Sequence, residues 1–231
     1  MLKFLGRGCC FNPMEGYTSA FYKKEDKLLL IDVGGNIFER IYQKNILDDV
    51  TECYIVITHC HCDHIGSLSD LIHYCYYAKK INVNIIPANH SQQKEIKTIL
   101  ENLYTIDNEY CFYDNFILTQ LNISICFVPT NHYAAMSSYG VIIKKLHDDN
   151  NRIFYTGDIS SFPNEILKDL HKYEKIYTDV ALSINPAHIH VEDLMKIIPK
   201  EHLHKIYCMH IEENTEKLLK NKYHLNVVTL D

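Results

Sequence analysis

The feature that most restricts how this chain can fold is the run HCHCDH, which directly follows the segment CYIVIT at residues 53–58. That segment is short and rich in β-branched residues, which predicts a buried β-strand. Alternate side chains of an extended chain point the same way, so His59 and His61 can bind one metal ion. Asp63 and His64 lie where the chain turns and can face a second ion. We therefore expect a metal-binding loop at the end of a central strand.

Two other interpretations of this run are a solvated, histidine-rich loop and a reactive thiol pair. The full spacing directly after a buried strand favours metal ligands over a solvated loop. Cys60 and Cys62 alternate with the expected ligands, so their side chains are predicted to point away from the metal. The chain contains nine cysteines and no secretory segment at its start, which predicts a cytoplasmic protein with reduced thiols.

Three further metal-competent residues follow other predicted strands. His132 follows ICFVPTN, Asp158 follows RIFYTG, and His210 follows KIYCM. Ligands converge at strand ends in α/β folds. We therefore expect one site with two ions, about 3.5–4 Å apart, able to hold an attacking and a leaving oxygen.

The order of predicted elements indicates an α/β chain. Strands and helices alternate in the first and last thirds, and Ser67 is predicted to cap a helix that follows the metal-binding loop. The middle is rich in strand-type segments, of which CFYDNFILTQ is the first. We expect two sheets packed between helices in a single domain of residues 1–231. The apolar runs are too short to span a membrane.

The charge balance restricts the partners. The chain has 23 basic and 29 acidic side chains, a formal net charge of -6. This speaks against a protein that holds a long nucleic acid, because phosphate binding relies on a net basic face. A small anionic substrate is acceptable where a metal supplies local positive charge.

The whole pattern resembles the metallo-β-lactamase fold family, from LLIDVGG to CMHI. The resemblance implies an αββα sandwich and two divalent ions, with Zn²⁺ favoured and Mn²⁺ as the alternative. It also implies that Asp32, in LLIDVGG, is the family's buried aspartate, which supports the metal-binding loop without binding metal. The alternative for Asp32 is a simple turn-forming role. The implied ligands are His59, His61 and His132 for the first ion, Asp63, His64 and His210 for the second, and Asp158 between the two.

Within this family, KFLGRGCCFNPMEGYTSAFY and IYTDVALSINPAHIHVEDL are similar to segments of the tRNase Z-like phosphodiesterases. This resemblance implies that His188 donates a proton to the leaving group and that Asp179 orients it. His190 replaces a serine or threonine of that branch and is the alternative donor, or a substrate contact. The implied catalytic residues are therefore His188, Asp179 and the metal-binding Asp63.

The segment MSSYG, a few residues after His132, is a candidate for the substrate pocket. Ser138 and Tyr139 are its candidate contacts to phosphate or base. The start of a strand is the alternative interpretation of this segment.

The start of the chain and the segment from IHVEDL to YCMHI resemble most the anti-Pycsar phosphodiesterases. The resemblance implies a homodimer that hydrolyses 3′,5′-cyclic nucleotides to nucleoside 5′-monophosphates, as a counter-defence in the host cytoplasm if phage-encoded. The implied substrates are cCMP and cUMP, with cAMP and cGMP as further candidates. A tRNase Z-like RNA 3′-processing endonuclease is the alternative, although no basic arm or HEAT sequence is present. A binding-only relative is disfavoured, because every expected ligand position is filled.

Overall fold

Two β-sheets lie face to face at the centre of the fold. The computed structural model describes residues 2–133, 136–148 and 152–231, and within these ranges one sheet has six strands and the other seven. The first sheet contains, in neighbouring order, β1 (Lys3–Gly6), β2 (Ser19–Lys24), β3 (Lys27–Ile31), β4 (Glu52–Val56), β5 (Asn82–Ile86) and β6 (Cys111–Phe112). The second contains, also in neighbouring order, β7 (Ile117–Leu118), β8 (Ile123–Thr130), β9 (Ser138–Lys145), β10 (Arg152–Tyr155), β11 (Tyr173–Asp179), β12 (Ile206–Met209) and β13 (Asn226–Val227).

Each sheet combines hairpins with parallel strands. Strands β3 to β6 pair in parallel, and so do β10 to β13, whereas the remaining neighbours pair antiparallel. Parallel neighbours need long connections, and these contain most of the helices. The α-helices are α1 (Ile37–Gln43), α2 (Cys62–Ile65), α3 (Leu68–His73), α4 (His90–Asn102), α5 (Asn164–Lys168), α6 (Val191–Ile197) and α7 (Glu216–Asn221). Among the described residues, no helix is both long and apolar enough to cross a membrane.

Strand β3 shows how the layers form. Leu28 and Leu30 pack with α1 and α3 on the outer side of the first sheet. Leu29 and Ile31 face the other way, into the core between the two sheets. Successive side chains of a strand point to opposite faces, so an unbroken apolar run is buried on both sides. The outer face of the second sheet packs against α5, α6 and α7. The layers are helices, sheet, sheet and helices, which confirms the αββα sandwich.

The segment CFYDNFILTQ does not form a continuous strand. Its first residues are β6 of the first sheet and residues 117–118 are β7 of the second, so the chain passes between the sheets here. The side-chain oxygen of Asn115 accepts a hydrogen bond from the Ile117 backbone N–H at 2.9 Å. Such a local side-chain bond stabilises a turn, which interrupts the extended chain.

Ser67 occupies the position before α3 but does not cap it with its side chain. Its hydroxyl donates to the Gly34 carbonyl at 2.6 Å and accepts from the Phe38 N–H at 3.1 Å. The hydroxyl therefore joins the metal-binding loop to the connection between β3 and α1. Gly34 itself approaches this loop so closely that a Cβ there would lie 2.0 Å from the Asp63 carbonyl oxygen.

Candidate metal centre

Histidine and aspartate side chains from both sheets meet where strands β4, β8, β10, β11 and β12 end. Three overlapping groups of them have ligand atoms within 4.8 Å of one another. Their members are His59, His61, His132 and Asp158 in the first group, Asp63, His64, Asp158 and His210 in the second, and Asp158, Asp179, His188 and His210 in the third. All are buried except His61 and His188, which are partly exposed. Asp158 belongs to all three groups and is therefore the centre of the cluster.

Three histidine nitrogens face one another in the first group. His61 Nδ1 lies 3.0 Å from His59 Nε2 and 3.2 Å from His132 Nε2. His132 Nδ1 donates to the Ala187 carbonyl at 2.9 Å, so its Nε2 carries the lone pair of the neutral ring. Nitrogens bound tetrahedrally to one zinc ion are about 3.3 Å apart. The spacing and the tautomer of this group thus fit a divalent ion.

The second group brings a histidine lone pair against carboxylate oxygens. His64 Nε2 lies 3.3 Å from Asp158 Oδ1 and 3.5 Å from Asp63 Oδ2. His210 Nε2 lies 3.3 Å from an oxygen of each of the same two carboxylates. Within the described residues, His64 Nε2 and Asp158 Oδ1 are buried without a hydrogen-bond partner. With the Nδ1–H of His64 bonded to Asp32, its Nε2 can bind a cation together with these carboxylate oxygens, so this group also fits a divalent ion.

Asp32 fixes the orientation of His64. Its fully buried carboxylate accepts the Thr58 N–H at 2.7 Å and the His64 Nδ1–H at 2.9 Å. It also accepts the Thr58 hydroxyl, whose oxygen lies 3.1 Å from His59 Nδ1. Asp32 has φ = 62°, in the left-handed region that non-glycine residues rarely occupy. The rings of His59 and His64 are therefore held with their Nε2 atoms towards the cluster.

The electrostatics differ between the two sides of the cluster. Burial lowers the pKa of His59, and the nearby His64 lowers it further. Burial and the nearby His132 likewise lower the pKa of His61, so both His59 and His61 stay neutral. On the other side, burial opposes the charge on His64, but Asp158 and Asp32 outweigh it and raise its pKa. Burial likewise opposes ionisation of Asp63, but hydrogen bonds from His210 and His64 hold its pKa well below the usual range. The carboxylates thus carry negative charge, which a bound cation would neutralise.

His188 lies at the edge of the cluster and is held by Asp179. Its Nδ1 is 2.8 Å from Asp179 Oδ2, which also accepts the Ile159 N–H at 3.1 Å. The other oxygen of Asp179 lies 3.4 Å from His210 Nδ1, and the His188 and His210 rings stack with centroids 4.9 Å apart. Burial opposes protonation of His188, but the Asp179 hydrogen bond and charge outweigh it and raise its pKa. His188 can therefore carry a proton on Nε2, the nitrogen turned away from Asp179.

Three residues predicted as substrate contacts lie outside these groups. His190 Nε2 donates to the Leu182 carbonyl at 3.0 Å, at the start of α6. The Ser138 hydroxyl donates to a backbone carbonyl of the neighbouring strand β8 at 2.9 Å. The Tyr139 hydroxyl accepts a hydrogen bond from Asn89. These contacts stabilise the strands and loops around the cluster.

The thiols of the metal-binding loop do not join the cluster. Cys60 packs against the outer core and Cys62 is exposed. None of the three groups found among the described residues contains a cysteine. This arrangement agrees with the alternation of side chains along the loop.

Thr58 and Gln92 support the cluster although no motif singled them out. The buried Gln92 side chain donates to the Ile57 carbonyl at 2.8 Å, at the base of the metal-binding loop. One feature of the sequence could have indicated Gln92: it is spaced to lie on the same face of α4 as Ile96 and Leu100, and all three are buried. A polar residue on an apolar stripe indicates a specific buried partner.

The family is shown by comparison with known proteins. A family model described as "Anti-Pycsar protein Apyc1" matches residues 1–230. The chain belongs to this anti-Pycsar protein Apyc1 family. One relative in the Apyc1 family, the anti-Pycsar protein Apyc1 of Bacillus phage BSP38, is 26% identical over 236 residues, covering 93% of this chain and 90% of the relative. The resemblance predicted from the sequence motifs is thus confirmed.

Two solved structures confirm the fold of this Apyc1-family chain. The metallo-β-lactamase fold protein YhfI from Bacillus subtilis superposes with a TM-score of 0.72 at 15% identity, covering 98% of this chain and 94% of that one. The short form of human tRNase Z superposes with a TM-score of 0.67 at 16% identity, covering 100% of this chain and 96% of that one. At such low identity these likenesses establish the metallo-β-lactamase fold alone.

Proposed function

We propose that this chain is a metal-dependent phosphodiesterase that hydrolyses 3′,5′-cyclic nucleotides such as cCMP and cUMP to nucleoside 5′-monophosphates. The observation that carries this proposal is the buried convergence of His64 Nε2 and His210 Nε2 on the carboxylates of Asp63 and Asp158, with His64 Nε2 3.3 Å from Asp158 Oδ1. This donor set fits a divalent cation, and His188, a protonatable histidine, stands beside it. Membership in the anti-Pycsar family supports the substrate class.

Seven side chains would hold two divalent ions, Zn²⁺ or Mn²⁺. Bound there, the ions would supply Lewis-acid activation of a phosphate and of a water molecule. The protein positions three of the ligands in advance, because the second ring nitrogen of His59, His64 and His132 is already bonded within the fold. The ligands are His59, His61 and His132 on one side, Asp63, His64 and His210 on the other, and Asp158 between them.

His188 would act as the general acid. Its Nδ1 is occupied by Asp179, which leaves the proton on Nε2 free to pass to the leaving 3′ oxygen. Asp179 also lies beside His210, so one carboxylate orients the proton donor and a metal ligand together. Water attack on phosphorus, with protonation of the 3′ oxygen, yields the nucleoside 5′-monophosphate.

The net charge of -6 supports a small substrate over a long polyanion, because only the cluster itself needs positive charge. The phage relative supports a role as counter-defence inside an infected cell, in its cytoplasm. We also propose that the protein forms a homodimer, and analytical ultracentrifugation would test its oligomeric state.

In the decisive experiment, purified protein is loaded with Zn²⁺ or Mn²⁺ and is then incubated with cCMP, cUMP, cAMP or a precursor tRNA. We expect nucleoside 5′-monophosphates from the cyclic nucleotides and intact tRNA. Cleavage of the tRNA alone would refute the proposal and favour RNA processing. Asp63→Asn should abolish turnover and lower the metal content, as measured by elemental analysis.

A pair of variants tests whether His188 is the general acid. His188→Ala should slow hydrolysis by about 10²–10⁴-fold while both ions are retained. His190→Ala is the matched control and should stay near the wild-type rate, because its imidazole is bonded to the Leu182 carbonyl. The reverse result would assign the proton transfer to His190 instead.

A further inference from the structure

A cavity of about 300 Å³ opens beside the cluster, with His188 and His210 in its wall. The rest of the wall consists of the turn at residues 9–11, the end of β11 with the two residues after it, the loop at residues 183–187, and Glu212. Ligand pockets are concave, mostly apolar and placed beside a few reactive polar groups, and this cavity has that character.

The polar side chains of the cavity wall are already bonded within the protein. Asn185 accepts the backbone N–H groups of Ala187 and His188 at 3.0 and 2.8 Å. Ser183 donates to Glu212. Glu212 also accepts the Leu182 N–H at 3.2 Å. The cavity therefore offers a ligand mainly apolar surface and ring faces.

Phe11 is the aromatic residue of this wall and is unusually exposed, at 89%. Its turn is rigidly attached beside the cluster. The Asn12 N–H donates to the Cys9 carbonyl at 2.9 Å, and the Cys9 N–H donates at 3.1 Å to the carbonyl of Ile211, the residue after His210. The Asn12 side chain also donates to that carbonyl at 3.2 Å. An exposed aromatic ring on a fixed turn is typical of a ligand contact.

We propose that this cavity holds the nucleobase of the substrate and that Phe11 stacks on the base. The inference rests on the proposed function and deepens it. His188 is both the proton donor to the 3′ oxygen and a wall of the cavity. The ribose that carries this oxygen would therefore lie against His188, which places the cavity within reach of its attached base. Every base has a π-face, so stacking on Phe11 needs no free hydrogen-bonding groups in the wall.

The test compares Phe11→Ala with Met14→Ala. Met14 is the matched control, because it is 86% exposed on the same N-terminal segment but lies outside this cavity. Phe11→Ala should lower kcat/KM for cCMP by about 5–150-fold, the fold-change that loss of one base–aromatic stack produces. Hydrolysis of a base-free ribose 3′,5′-cyclic phosphate should be unchanged. Phe11→Tyr should restore the cCMP rate, because its ring can still stack.

A binding experiment separates this inference from the proposed function. Wild-type protein should bind 5′-CMP more tightly than ribose 5-phosphate, and Phe11→Ala should remove that difference. This result would uphold the base site even if no cyclic nucleotide were hydrolysed. An equal loss on cCMP and the base-free substrate would overturn it, as would wild-type behaviour of Phe11→Ala. A change from dimer to monomer with equal losses would overturn it too, since Phe11 would then be an intersubunit contact.

Discussion

Substituting asparagine for Asp32 would test how the metal centre is oriented. Both carboxylate oxygens accept hydrogen bonds, from the Thr58 N–H at 2.7 Å and from His64 Nδ1 at 2.9 Å. Asparagine has one acceptor oxygen, so its NH₂ group must face one of these two donors. If it faces His64, the imidazole proton moves to Nε2, the atom 3.3 Å from Asp158 Oδ1. In that tautomer His64 cannot bind a metal ion.

The magnitude follows from the bond that is lost. A hydrogen bond to a charged group contributes about 1.5–3 kcal/mol. This corresponds to about a 10–150-fold loss in affinity, at 1.4 kcal/mol for each factor of ten. Groups that support metal ligands typically contribute about 10–100-fold, which agrees. The loss should be larger for the ion of the His64 group, because Asp32 bonds His64 directly but reaches His59 only through the Thr58 hydroxyl.

Chelator competition with elemental analysis would measure this effect. We expect wild-type protein to retain two ions at a free metal concentration at which Asp32→Asn retains one. Asp26→Asn is the matched control, because Asp26 is exposed and bonded to Lys27 and Thr51. Equal affinity for both ions in Asp32→Asn and wild type would refute the argument, provided that thermal unfolding shows the variant to be folded.

Three further perturbations have outcomes that can be read from the structure. Gln92→Leu removes the side-chain bond to the Ile57 carbonyl, so urea unfolding should show a loss of about 1–3 kcal/mol, whereas the less buried Gln93→Leu should cost much less. Gly34→Ala would place a Cβ 2.0 Å from the Asp63 carbonyl oxygen; we expect about 3 kcal/mol of destabilisation with weaker metal binding, and wild-type values for both would contradict it. Chelation should lower Tm by about 5–10 °C per ion if the free metal concentration was 100 times the Kd, because binding at that concentration contributes about 2.7 kcal/mol to the free energy of unfolding. An unchanged Tm in scanning calorimetry would count against a buried metal site.

The parts of the cluster that could be predicted from the sequence are those with a local signal. The metal-binding loop has its ligands within six residues after a buried strand, so spacing alone places His59 and His61 on one side of the chain. His132, Asp158 and His210 each follow an apolar strand, and the ends of neighbouring strands meet in space. These predictions needed only strand periodicity and the chemistry of the side chains.

The rest depended on contacts between distant parts of the chain. Ser138 is a candidate substrate contact because it lies a few residues after His132, and the local sequence does not show that pairing between β8 and β9 directs its hydroxyl to a backbone carbonyl. His190 lies two residues from His188, yet the start of α6 turns its ring to Leu182. Nothing in the local sequence of Phe11 shows that its turn is attached beside His210. Such positions are decided by tertiary packing, which periodicity does not report.

The location of the cluster joins metal binding to the packing of the two sheets. Thr58 lies two residues after the end of β4 in the first sheet, and its carbonyl accepts the N–H of Tyr139 from the second sheet at 3.0 Å. Gly157, just before Asp158, comes so close that a Cβ there would lie 2.9 Å from the Thr58 side chain. The members of the first and the second candidate metal-binding group likewise follow strands of both sheets, so a bound ion would complete contacts that neither sheet can make alone. Part of the binding free energy of such an ion would then be folding free energy, and substitutions that separate the sheets should weaken metal binding without touching a ligand.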